Sequence, residues 1–241
     1  MPAYNAARTV LQTHEEVIAQ ECVDELILVD DASQDETVDI ARGLEKVTVH
    51  RHEANRGYGA NQKTCYRLAL EAGADIVIMV HPDYQYTPRL IPAMAAMIGN
   101  GLYHCVIGSR ILGGQALRGG MPWWRYAGNR VITGIENRLM GYRLSEYHSG
   151  YRAFSRKLLQ QLPLENNSND FVFDNQILAQ ILWRKYIIAE ISCPTNYHAE
   201  ASSIGFGSSV RYGLSCLRTA AQFFLARRGW VKPASFLERP D

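Results

Sequence analysis

Three side chains able to ligate a metal or meet a phosphate occupy alternate positions in His81-Pro82-Asp83-Tyr84-Gln85. Carboxylate and amide oxygens suit Mg²⁺ or Mn²⁺, and a histidine nitrogen is more compatible with Mn²⁺. Pro82 biases His81 toward an extended backbone, so positions 81, 83 and 85 share one side if the chain stays extended. A satisfied histidine beside a polar turn would leave the same letters. Asp30-Asp31 is a second candidate pair. Its carboxylates can accept hydrogen bonds from a nucleobase edge or a ribose hydroxyl, or can simply precede a helix whose dipole favours them. Asn55-Arg56-Gly57-Tyr58-Gly59, followed by Lys63, is glycine-rich but fits neither G-x-G-x-x-G nor the Walker pattern. It reads as a phosphate loop or as a turn entering a helix.

The elements that must position these groups follow from the hydrophobic pattern. Ile76 to Val80 is a short apolar run that predicts a strand buried on both faces of a parallel sheet, and ligands of such sheets lie beyond the carboxyl ends of the strands. Leu26–Val29, Val47–His50, Cys105–Ile107 and Ile187–Ile191 read as further strands. Helices are expected after Asn5 as N-cap, after a Ser33–Glu36 capping box, over 60–72, from Pro88, over 126–139 and over 173–183. Alternating strands and helices imply parallel βαβ units with right-handed crossovers.

Composition narrows the function classes. The 241 residues are 47% hydrophobic with a formal net charge of +1, so no global field favours nucleic acid. The five cysteines are scattered without a C-x-x-C pair, which argues against a zinc or disulfide framework and predicts a reducing, cytoplasmic setting. No apolar run reaches the length of a spanning helix. Val210, Leu214, Leu217, Ala221, Phe224 and Leu225 recur at helical spacing among Arg211, Arg218, Arg227 and Arg228. Such a basic amphipathic helix either packs on the domain or lies on an anionic bilayer, a peripheral contact with the cytoplasmic face.

The ordered set Pro2-Ala3-Tyr4-Asn5, Val29-Asp30-Asp31-Ala32-Ser33, Asn55-x-Gly57, His81-Pro82-Asp83-x-Gln85 and Gly108-Ser109-Arg110 resembles glycosyltransferase family 2. Ser149-Gly150-Tyr151-Arg152-Ala153 is similar to the polyprenyl-phosphate (dolichol-phosphate) mannosyl- and glucosyltransferase branch. The resemblance runs from Met1 to about residue 205. It implies a GT-A, Rossmann-like α/β domain with a mainly parallel central sheet, a nucleotide-sugar donor, a divalent metal and inversion at the anomeric carbon. Residue by residue, Pro2, Tyr4, Asn5, Asp30, Asp31, Asn55, Gly57 and Lys63 fall on the donor side. Asp83 matches the second carboxylate of the D-x-D motif, with Gln85 completing the metal shell, and Arg110 matches an arginine near the phosphates. Ser149 and Arg152 match the acceptor side, where Arg118, Arg125 and Arg130 are further candidates.

Three departures stand out. His81 replaces the first Asp of D-x-D, so one ligand brings no charge. Glu146 stands roughly where the branch has Asp, and Gln176 where it has Glu, leaving Asp174 as the candidate general base for a hydroxyl acceptor. A lipid-phosphate acceptor, with a second pKa of about 6, needs no base. The family's strand ahead of Pro-Ala-Tyr-Asn is expected to be missing here; burying its side chains would contribute roughly 1.5–3 kcal/mol each, which predicts a native start upstream of Met1. The expected organisation is a catalytic domain over 1–205 and an amphipathic helix and tail over 206–241. The function implied is sugar transfer from a nucleotide sugar to a polyprenyl phosphate or a saccharide. A nucleotide-sugar-binding protein that has lost catalysis is the alternative, and a nucleotidyltransferase is weaker for want of its glycine-rich loop.

Overall fold

The computed structural model describes residues 1–195 and 206–236. Two sheets form its centre. In the first, β1 (Pro2–Ala3), β2 (Leu26–Asp30) and β3 (Val47–Arg51) are all parallel, in the order β1-β2-β3. The second has the order β4-β6-β5-β7, from β4 (Ile76–Met79), β5 (Cys105–Ser109), β6 (Arg152–Ser155) and β7 (Ile188–Ser192). Strands β5 and β7 are parallel, while β6 runs antiparallel to both β4 and β5.

The first strand, expected to be missing, is thus present but short. Met1 still joins the ladder, its ammonium donating to the Ile27 carbonyl at 2.8 Å and its carbonyl accepting from Val29 N–H at 3.0 Å. The second correction concerns β4. It pairs with β6 alone among the described residues, antiparallel, and Ile76, Val77 and Ile78 are only half-buried. Its other edge faces β2 across a 450 Å³ slot lined by Met1, Leu26, Ile27, Cys65 and the strand itself. An apolar run reports burial but not the direction of its partner.

Among the described residues, eight helices pack around the sheets: α1 (Val10–Ile18), α2 (Thr37–Arg42), α3 (Tyr58–Glu71), α4 (Ile91–Gly99), α5 (Trp123–Met140), α6 (Arg156–Gln161), α7 (Phe173–Trp183) and α8 (Phe206–Arg227). Strand β6 and helix α6 lack a strong enough period to be expected from sequence. Helix α5 stops at Gly141, whose φ of +74° supplies the left-handed turn that a side chain would oppose. Asn5 is not a cap: α1 starts at Val10 behind Thr9, and Asn5, at φ +51°, instead accepts from Gln34 N–H through Oδ1. Nor does Ser33 cap α2, since its Oγ accepts from Asn5 N–H, while Asp35 Oδ1 takes the Thr37 N–H at 3.1 Å. One core lies between α7, α8 and the β5–β6 face, around Phe154, Phe173, Ile177 and Phe223. The other lies under α1 and α4, around Leu28, Met94, Val106 and Tyr151.

Candidate active site

Beyond β4 the chain does not stay extended. Pro82 and Asp83 form a turn, Tyr84 is left-handed at φ +53°, and Asp83 Oδ1 accepts the Gln85 N–H at 3.1 Å. His81, Asp83 and Gln85 nevertheless line one cleft of 480 Å³. They converge through a turn rather than through strand alternation.

His81 is fixed on two sides. Its ring stacks on Tyr58 with centroids 5.6 Å apart and planes 9° apart, and Nε2 lies 3.3 Å from the Tyr58 hydroxyl. Gly150 closes the other side, where a β-carbon would stand 2.6 Å from Nε2. Burial pushes the imidazole pKa down against the pull of Asp83 and Asp174, favouring the neutral ring that a metal requires.

Tyr58 went unnoticed among the glycines of its loop. It opens α3, contacts Phe171 at 4.8 Å and donates to Asp174 Oδ2 at 2.6 Å. Burial first, and then the Asp174 charge, raise its pKa well above the ordinary phenol value. Asp174 Oδ1 accepts from Gln62 at 3.1 Å and lies 3.7 Å from Arg152 Nη1. Both oxygens of the expected base therefore already accept hydrogen bonds. The one signal sequence offered for Tyr58 was an aromatic between two glycines at a helix start.

Arg152 is fully buried, so it cannot touch an acceptor. Its guanidinium donates to the carbonyls of Ser149 at 2.7 Å, Tyr147 at 3.0 Å and Asp174, tying the 147–152 segment to α7. Ser149 is also buried, donating to the Gly108 carbonyl. Arg110 does line the cleft. Glu146 holds it through Nη2 at 2.5 Å and through its own N–H at 2.6 Å, and Asn129 donates to the same carboxylate at 3.0 Å. Burial would raise the Glu146 pKa, but Arg110 holds it below the usual range. Arg125 lines the cleft as well, 5.1 Å from the Trp124 ring, whereas Arg118 is exposed outside it and Arg130 donates to the Ser145 carbonyl.

On the donor side, Asp30 is buried, accepts the Ser33 N–H at 3.0 Å through Oδ2 and keeps a buried Oδ1 without a hydrogen-bond partner among the described residues. Asp31 is fully engaged, accepting from His52 at 2.7 Å and from the N–H groups of Arg56 and Gly57 at 2.9 Å each. These bonds fix the Asn55–Gly57 loop. Gly57 needs its φ of +94°, and a β-carbon there would stand 2.7 Å from the Asn169 carbonyl oxygen. Asn55 is exposed and accepts the Gly57 N–H, and Tyr4 is exposed beside the buried Pro2. Lys63 does not sit on the surface. It donates to the Asn167 carbonyl at 2.6 Å and Asn169 Oδ1 at 2.8 Å, and burial lowers its pKa.

The cleft lined by His81, Asp83, Gln85 and Arg110 runs into an apolar wall of Trp124, Ile132, Val210, Leu214 and Leu217, where α5 and α8 pack together. Among the described residues, no helix is long and apolar enough to cross a membrane.

Comparison with known proteins places this geometry. The chain is 29% identical to a UDP-N-acetylglucosamine–dolichyl-phosphate N-acetylglucosaminyltransferase of Methanococcus voltae, over 90% of this chain and 94% of that one. It is 26% identical to a dolichyl-phosphate hexose transferase of Haloferax volcanii, over 80% and 79%. Its backbone resembles Mycobacterium tuberculosis glucosyl-3-phosphoglycerate synthase in complex with Mn²⁺, uridine-diphosphate-glucose and phosphoglyceric acid. The TM-score is 0.66 at 19% identity, covering all of this chain and 79% of that one, a likeness that establishes the GT-A fold. The sequence profile described as glycosyl transferase family 2 matches residues 1–162. The chain therefore belongs to glycosyl transferase family 2.

Proposed function

We propose that this glycosyltransferase moves a sugar, with inversion, from a nucleoside-diphosphate sugar to a polyprenyl phosphate. The observation that carries this reading is the continuity of one cleft from the His81–Asp83–Gln85 turn to the apolar α5–α8 wall. A diphosphate and a lipid phosphate can then meet at its polar end while the prenyl chain lies along the apolar end. A saccharide acceptor would leave that wall without a partner.

The donor set at the turn fits a divalent cation: a carboxylate, an amide oxygen and a neutral imidazole face one space. Such an ion, Mg²⁺ or Mn²⁺, would add positive charge against the departing diphosphate. Arg110, held by Glu146, places a fixed cation at the same wall. Arg125 supplies one for the acceptor phosphate. The acceptor oxygen attacks C1 from the face opposite the diphosphate; the new C1–O bond forms as the C1–O bond to the diphosphate breaks. No proton need be removed, because the acceptor is already anionic near pH 7. That suits Asp174, whose oxygens already accept from Tyr58 and Gln62 and which would anchor Tyr58 rather than act as a base. The exposed Trp123, Val210 and Leu214, with Arg211 and Arg218 nearby, would let α8 rest on a membrane that holds the acceptor.

Transfer of labelled sugar into an organic-extractable product, dependent on added metal and lost in Asp83→Ala, is the expected result. Undiminished transfer by Asp83→Ala would overturn the site. Donor binding without transfer to any prenyl phosphate would favour a binding protein instead.

A further inference from the structure

At the cleft wall, with His148 itself among the lining residues, lies a cluster that the transfer reaction does not use. Glu136 of α5, Cys216 of α8 and His148, two residues before Gly150, each point one ligand atom at a common space, and the three atoms lie within 4.8 Å of one another. Glu136 and Cys216 are fully buried and the His148 side chain is 8% exposed. Among the described residues, Glu136 Oε2 and His148 Nε2 have no hydrogen-bond partner, although they are 3.4 Å apart. Unsatisfied buried polar atoms facing each other are costly and call for a missing partner.

We infer that Glu136, His148 and Cys216 form a zinc site that ties α5, α8 and the His148 segment together. Four-coordinate zinc has bonds of about 2.0–2.1 Å to N and O and about 2.3 Å to S. The edges of that tetrahedron are then roughly 3.3–3.6 Å, and the Oε2–Nε2 separation already matches one. A thiolate with an imidazole selects zinc over the hard cations suited to the Asp83 turn. The surrounding contacts are those of a metal's outer shell. Asn175 donates to the other Glu136 oxygen at 2.5 Å, leaving Oε2 for the ion. The Tyr212 hydroxyl lies 3.1 Å from His148 Nδ1; accepting there from a protonated Nδ1 while donating to Cys216 would leave Nε2 free for the ion. Without an ion, burial raises the Glu136 carboxyl to about 8 against the Asn175 hydrogen bond, and burial, with the Arg110 and Arg152 charges, lowers the His148 imidazole to about 4. A cation would reverse both tendencies. The site is distinct from the donor turn and does not depend on the proposed transfer reaction.

The test is Co²⁺ titration of the metal-stripped full chain carrying Cys22→Ser, which removes the exposed thiol. The expected result is a thiolate-to-cobalt charge-transfer band with tetrahedral visible bands, saturating at one ion per chain and abolished by adding Cys216→Ser. The same band should persist in Asp83→Ala, separating this site from the donor turn. Glu136→Gln and Tyr212→Phe keep the thiol and should weaken cobalt and zinc binding at least about tenfold. These two variants decide the matter if Cys216→Ser fails to fold. Absence of the band, its survival in Cys216→Ser, or unchanged affinity in both of the other variants would overturn the site.

Discussion

Adding one methyl group at Gly150 tests how tightly the site is assembled. In Gly150→Ala the new carbon would stand 2.6 Å from His81 Nε2, 3.1 Å from Cδ2 and 3.2 Å from the Tyr58 hydroxyl. Non-bonded heavy atoms settle at about 3.5–4.0 Å, so the imidazole must retreat by roughly 1 Å. It has little room, because Tyr58 stacks on its far face and is itself held by Asp174 and Phe171. The backbone cannot yield readily either: Ser149 is bonded to Gly108, whose N–H donates to the Tyr151 carbonyl at 2.9 Å. Overpacking of this kind costs about 1–3 kcal/mol. At a urea slope of ~2 kcal/mol/M, the unfolding midpoint should fall by roughly 0.5–1.5 M. Transfer activity should fall with it. The discriminating experiment is the double variant His81→Ala/Gly150→Ala, in which the methyl group occupies space vacated by the ring. The Gly150→Ala penalty should then nearly vanish, leaving a coupling of ~1–2 kcal/mol. Additivity within about 0.5 kcal/mol, or a neutral Gly150→Ala, would refute the contact.

Four further outcomes follow from the same geometry. Arg152→Met strands three carbonyls and leaves Asp174 without its buried cation, which should cost about 3–5 kcal/mol; a loss under ~1 kcal/mol by denaturant melt would contradict that. Of the five thiols, Cys22 alone should react with a thiol reagent in the folded chain at pH 8, and all five after unfolding, because the others are buried. Burial raises the Cys105 thiol from 9.0 to about 12, so the folded state keeps a proton that the unfolded chain releases. This contribution is complete below pH 9 and lost as pH rises toward 12; Cys105→Ala should flatten that slope in pH-dependent melts. Leu214→Asp, on the apolar wall, should raise the KM for long prenyl phosphates more than for short ones while leaving nucleotide-sugar affinity intact, and an equal change for both lengths would count against the wall.

Much of the site was legible because its residues are close in sequence. The Asp83–Gln85 spacing, the β2 end at Asp30 and the Gly108–Arg110 strand end all stand where the motifs put them. What escaped depends on contacts distant along the chain. Lys63 looks like a surface lysine one turn into a helix, yet its partners lie more than a hundred residues later, at Asn167 and Asn169. Asp31 resembles a ligand-facing carboxylate until His52 and the 56–57 backbone are seen to consume it. Arg152 reads as a cation for the acceptor, but burial turns it into a brace. The direction of β4 was hidden because apolarity says nothing of a partner's polarity, and Tyr58 was hidden because a single aromatic carries no period.

The Arg152 brace has a kinematic consequence. One guanidinium bonds the Tyr147 and Ser149 carbonyls on one side and the Asp174 carbonyl of α7 on the other. Gly150, which closes one side of His81, and Asp174, which anchors Tyr58 on the other, therefore hang on a single pivot. The two jaws that grip the imidazole can travel only together. Amide exchange in the 147–151 segment and in the first turn of α7 should accordingly quicken together in Arg152→Met.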